Sequence, residues 1–155
     1  MVKKVILFFD VVVTGLVAGT IFGVWIGYNP IGLSAEVYVT QQQHAIGALN
    51  VLMPILGLIA IVSTLISAFL RKQDKLLLSI LLLAAVLLIL SALVTRFGNQ
   101  PINAIVLTWD LASIPSEWAA LRDQWWKYHV VRTLATMVAF ACIAWVSVSE
   151  RRPNV

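Results

Sequence analysis

The chain has 155 residues, 61% of them hydrophobic and only 12% charged, with a formal net charge of +4. A soluble domain carries about 25% charged residues, so a water-exposed globular fold is excluded. The single cysteine, Cys142, excludes a disulfide framework and reads as a small core hydrophobe. No basic stripe interleaved with aromatics is present, so nothing points to nucleic acid.

Four apolar stretches, 5–27, 48–70, 76–94 and 130–148, each approach the ~20 residues that span a bilayer as helix. They predict an all-α fold: an integral membrane four-helix bundle, one domain over 1–155, with helices at about 5–27, 36–70, 76–96 and 117–149. Lys3, Lys4, Arg71, Lys72, Lys75, Arg151 and Arg152 gather at the two termini and the second connection. By the positive-inside rule both termini are then cytoplasmic. The expected setting is a lipid bilayer, in a multi-pass arrangement that suits a bacterial inner membrane.

The first helix follows Lys3 and Lys4 as a signal peptide would, but its length and its Asp10 argue for a retained span. Asp10 is expected to be a structural carboxyl, protonated or paired to a neighbouring helix. Gly15, Gly19, Gly23 and Gly27 lay a strip of bare backbone along one face. Such a strip predicts close packing against the second or fourth helix, or a docking face for a partner or a second copy.

Asn29-Pro30 ends this helix, and Ser34 is placed to cap the next. A helix over 36–71 would be roughly 54 Å long against a ~30 Å hydrocarbon core, so it must protrude or bend, with Pro54 as the reason for a bend. At about 100° per residue, Glu36, Thr40, Gln43, Gly47 and Asn50 form one polar stripe predicted to face the bundle interior, with His44 about 80° aside. The third helix, rich in Leu, Ala and Val, reads as lipid-facing and without chemistry, ending at Arg96. A short helix over 103–111 is placed in the connection that follows. Ser116 and Glu117 open the fourth helix.

The passage DQWWKYHVVR (123–132) sets Trp125, His129, Arg132 and Thr136 at spacings of three or four, on one helix face. Trp118, Trp126, Lys127 and Tyr128 read as interfacial anchors. Arg132 would cost about 2.5–3.5 kcal/mol near the membrane centre, so it requires a partner, with Glu36, Asp110 and Asp123 as candidates. Counting along the helices places His44, Arg96, His129, Asn99, Asn103 and Asp110 toward the same extracytoplasmic end, predicting a polar pocket there.

HAIGALNVLMP (44–54), NQPIN (99–103) and WWKYHVVR (125–132) occur in this order after a glycine-rich first helix. Together they make the chain resemble the anthrone-oxygenase-like family of small four-helix membrane proteins. Characterised members are implicated in oxidising flat tricyclic anthrones with dioxygen. The resemblance implies roles for Asn103, His129 and Arg132, and to a lesser degree His44 and Asn50. On that view His129 is the base, Arg132 and Asn103 hold the oxyanion, and Trp125, Trp109, Asn50 and Gln43 contact the substrate. No nucleotide motif is present. Two alternatives stand beside it. His44 and His129 with Glu36 would make an iron or copper site, or the two imidazoles would ligate a haem. The other is an accessory subunit of a larger membrane complex.

Overall fold

The computed structural model describes residues 1–149; Arg151 and Arg152 lie outside the described residues. The chain forms α1 (Val2–Gly27), α2 (Ala35–Leu49), α3 (Leu52–Leu70), α4 (Lys75–Val94), a π-helical segment (Thr95–Asn99), α5 (Gln100–Val106) and α6 (Trp118–Ser149). Four helical stretches are long and apolar enough to cross a membrane: Val2–Gly32, Leu52–Leu70, Lys75–Val106 and Trp118–Ser149. Between lipid-facing helices there is little hydrophobic drive, so small residues allow the close contacts that hold a bundle together. Ala60 of α3, Ala84 of α4 and Ala139 of α6 are wholly buried in one core with Leu81, Ile143 and Val146.

The long helix expected over 36–70 is two helices, broken at Asn50-Val51. Pro54 has no N–H for the carbonyl of Asn50, and its ring crowds that carbonyl, so the helix cannot pass through. The third helix does not end at Arg96. It continues through the π segment into α5, where the Gln100 N–H closes a wide turn on the Thr95 carbonyl. Pro101 follows and again removes a donor, which accounts for the wider turn before it. The short helix placed at 103–111 is therefore the end of this span, and 111–113 is a separate 3₁₀ turn. Nor is α4 merely lipid-facing: Leu81, Ala84, Ala85 and Leu88 are core, and Ser91 takes a hydrogen bond from Thr136 at 2.8 Å.

Of the glycine strip, only Gly15 meets another helix, the Phe140 ring of α6; Gly19, Gly23 and Gly27 face open space. The glycine that packing does require is Gly98, in the π segment, where an added Cβ would stand 2.8 Å from the Tyr128 ring. Gly98→Ala is expected to cost about 1–3 kcal/mol through overpacking, while Gly19→Ala costs nothing. Thermal unfolding in detergent checks this; equal losses at both sites would dismiss the Tyr128 contact as the cause.

Asp10 is fully buried, and its Oδ1 accepts hydrogen bonds from Ser63 (2.9 Å), Thr64 (2.8 Å) and Thr14 (3.4 Å). It joins α1 to α3 at the end where the Arg71 guanidinium donates to the Lys3 carbonyl at 3.0 Å. Asp10→Asn keeps the acceptor and is expected to leave stability nearly unchanged. Asp10→Leu strands the hydroxyls at a cost of about 1–3 kcal/mol. Melting curves of the two variants test this; equal losses in both would remove the hydroxyl contacts as the reason.

Candidate functional site

At the other end of the bundle, α6 brings His129 and Arg132 together on one face. His129 is wholly buried and packs against Trp125 (ring centroids 5.1 Å apart, planes 2° apart) and Trp126 (5.5 Å, 20°). A guanidinium can only donate, so the contacts of Arg132 Nε (3.2 Å) and Nη2 (2.9 Å) make His129 Nδ1 an acceptor. The ring proton then sits on Nε2, which donates to the Ile21 carbonyl of α1 at 3.1 Å. Arg132 Nη1 donates to Thr95 Oγ1 in the π segment at 3.4 Å.

The partner of Arg132 is thus a neutral imidazole and a hydroxyl, not one of the three expected carboxylates. Glu36 is exposed, Asp110 accepts from the Ala112 N–H, and Asp123 pairs with Arg122 at 2.9 Å. Three of the five guanidinium N–H groups are engaged in these contacts, and the charge has no carboxylate beside it.

A second cluster grows from α2 and α5. Tyr28 Oη donates to Gln42 Oε1 (3.1 Å), and Gln42 Nε2 donates to Asn103 Oδ1 (3.4 Å). Trp125 Nε1 donates to the same Asn103 oxygen at 2.8 Å, and Asn103 Nδ2 donates to Asn50 Oδ1 at 3.1 Å. Every amide oxygen in this chain is occupied, and the chain ends on the Nδ2 of Asn50. Asn103 is therefore a junction that aims its neighbours.

Two cavities meet at Arg132. The first, about 140 Å³, is walled by Tyr28, Gln42, Asn50, Asn99, Asn103 and Trp125. The second, about 250 Å³, lies between α3 and α4 beside Gly57, Leu58, Leu88 and Ala92. Both are lined by Ile21, Met53, Pro54, Thr95 and Arg132, and among the described residues no acidic side chain lines either. Pro54, which lines both, is exposed on the bundle surface. A positive charge without a carboxylate in such a wall favours an anionic or electron-rich oxygen.

Sequence reading and structure part at several positions. His129 lines neither cavity; it stands behind Arg132. Trp125 and Asn50 line the first cavity, but Trp109 does not: it packs with Tyr38 and Val106 in a cluster beyond it. Gln43 is tied to the Val106 and Trp109 carbonyls, each at 3.0 Å, and the cavity-lining glutamine is Gln42. The polar stripe of α2 is rotated: Glu36, Thr40 and Gly47 are exposed, while Tyr38, Val39, Gln42 and Ile46 are buried. Burial pushes the Tyr38 hydroxyl up to about 12, so it stays a neutral phenol. Trp118 and Tyr128 pack on Tyr38 and Gly98, beyond any anchoring role. His44 is exposed, and among the described residues no three His, Cys, Asp or Glu side chains converge as metal ligands. With His44 in solvent and both nitrogens of His129 engaged, the residues do not fit the His44–His129–Glu36 metal site or a haem held by both imidazoles.

Gln42 and Thr95 are not among the site residues that the sequence predicts, and Asn99 is predicted only to lie at the pocket end. Thr95, Asn99 and Asn103 recur every four residues, a signal that emerges once the third span is carried on to Val106.

The fold and site define an α-helical membrane bundle with a cationic, amide-walled cavity. The family model for anthrone oxygenase matches residues 43–142, well over half of the chain and all of the cavity-lining polar groups from Asn50 to Arg132. The chain belongs to the anthrone oxygenase family. No curated protein and no solved structure matches it.

Proposed function

We propose that this protein oxidises a lipophilic aromatic substrate of the anthrone or quinol type with dioxygen, in the cavity beside Arg132. The observation that carries the reading is a guanidinium without a carboxylate on the wall of a mainly apolar cavity. In anthrone oxidation a ring CH₂ loses a proton, and the negative charge moves onto the ring oxygen. Dioxygen adds at the carbanion carbon to give a hydroperoxide, which loses water to leave a carbonyl. One O₂ is consumed per quinone formed, four electrons pass from carbon to oxygen, and one water leaves.

Arg132 and the Asn50 amide hold the developing oxyanion, with Asn103 setting the Asn50 amide. Donors to a developing charge act most strongly where water is excluded. His129 accepts the proton: when the guanidinium swings to the oxyanion, the Nδ1 lone pair it now occupies is released. Trp125 gives the flat substrate a wall to lie against.

The test is oxygen uptake by the purified protein in lipid nanodiscs with anthrone as substrate. Uptake above the spontaneous rate, with one O₂ per anthraquinone, is expected. A rate equal to that of empty nanodiscs would overturn the oxidase reading.

A further inference from the structure

Among the described residues, four buried side-chain atoms have no hydrogen-bond partner: Asp10 Oδ2, Tyr38 Oη, Ser67 Oγ and Asn99 Oδ1. Of these residues, Asn99 alone lines the first cavity, and none of the other three lines either of the two cavities at Arg132. Asn99 is 1% exposed and occupies the last position of the π segment. The orientation of its amide follows from its other contact. Asn99 Nδ2 donates to the Trp125 carbonyl at 3.0 Å, and a carbonyl accepts only, so the NH₂ must face Trp125. The oxygen is thereby left without a donor.

The rest of the polar wall has the opposite character. Arg132 and Asn50 offer N–H groups, while the oxygens of Gln42, Asn50 and Asn103 are already occupied. A ligand that brings only an oxyanion satisfies Arg132 and leaves Asn99 bare, and a buried acceptor without a donor is costly. A ligand that also carries a free hydroxyl satisfies both. We infer that Asn99 is a specificity-determining residue that accepts a hydrogen bond from a free hydroxyl of the substrate, separate from the oxygen that takes the negative charge. The substrate class is then a hydroxylated aromatic with at least two oxygen functions, one accepting at Arg132 and one donating at Asn99. This rests on the proposed binding of the oxyanion at Arg132.

The π turn supplies the placement. Its extra residue per turn brings Thr95 and Asn99 to the first cavity together, and such turns recur at functional sites.

The experiment is a cycle between ligand hydroxyl and side chain. Anaerobic equilibrium binding in nanodiscs is measured for anthrone and a monohydroxylated anthrone, each with wild type and with Asn99→Leu. Comparing the two proteins with each ligand cancels the ligand's partitioning into lipid. The hydroxyl is expected to strengthen wild-type binding about tenfold, and the gain to vanish in Asn99→Leu. An equal hydroxyl gain in both proteins overturns the assignment. Should Asn99→Leu fail to fold, wild type alone decides: binding the hydroxyanthrone and its methyl ether equally overturns it as well. Oxidation of both ligands without discrimination in binding removes the role of Asn99 and leaves the oxidase reading intact. Binding of neither ligand removes both.

Discussion

Arg132→Met is expected to slow anthrone oxidation about 10²–10³-fold while leaving the bundle as stable as before, or more so. The two effects have one cause. The guanidinium is held by neutral acceptors, His129 Nδ1 and Thr95 Oγ1, with no carboxylate to balance its charge. A charge kept in that state costs folding energy, and an apolar side chain of similar length relieves it, which offsets the cost of the His129 Nδ1 left without a donor. The same charge is what a developing oxyanion meets, and loss of one such preorganised donor typically costs 10²–10³ in rate. Arg132→Lys is expected to recover only part of the rate, because an ammonium cannot fork between Nδ1, Thr95 and a ligand. Oxygen uptake and thermal unfolding of the same preparations check both halves. A variant that melts early and loses activity in proportion would make Arg132 structural.

The second large effect falls on His129. His129→Ala removes the acceptor of Arg132 and leaves a hole between Trp125 and Trp126, so about 3 kcal/mol of stability should go with it. Activity should fall about 10²–10⁴-fold, the usual contribution of a positioned base. His129→Gln separates base from support, because an amide oxygen can still accept from Arg132 but cannot take a proton at neutral pH. Continued loss of turnover in His129→Gln, with stability restored, assigns the proton transfer to His129. Full activity in that variant would instead make it a positioning residue for Arg132.

Lys3 and Arg71 meet at one end of the bundle and the Arg132 cavity lies toward the other. The uncovered Gly19, Gly23 and Gly27 leave a face of α1 to lipid or to another helix.

Four spans and the grouping of Trp125, His129 and Arg132 could be read from the chain, because length, hydropathy and three- to four-residue spacing are local properties. The family resemblance rested on 44–54, 99–103 and 125–132, and the family match over 43–142 contains all three. Proline read locally was less reliable. Pro54 was expected to bend a helix that it ends at Asn50, and Pro101 was placed in a connection although it lies inside a continuing helix. In both cases what decides is whether the displaced carbonyl finds another donor, and that is a matter of neighbouring turns.

The face of α2 was misjudged by about one residue's rotation, 100°, because a polar stripe marks the interior only when its groups find partners there. Gln42 finds Tyr28 and Asn103, and Glu36 finds solvent. Composition and periodicity thus determined a membrane bundle with Trp125, His129 and Arg132 on one helix face. Only the packing of α1, α5 and α6 decided that His129 lies behind Arg132, that among the described residues no carboxylate meets the charge, and that the Asn99 oxygen has no donor. Those outcomes depend on which hydrogen-bond partners meet across helices far apart in sequence, and no local pattern carries that information.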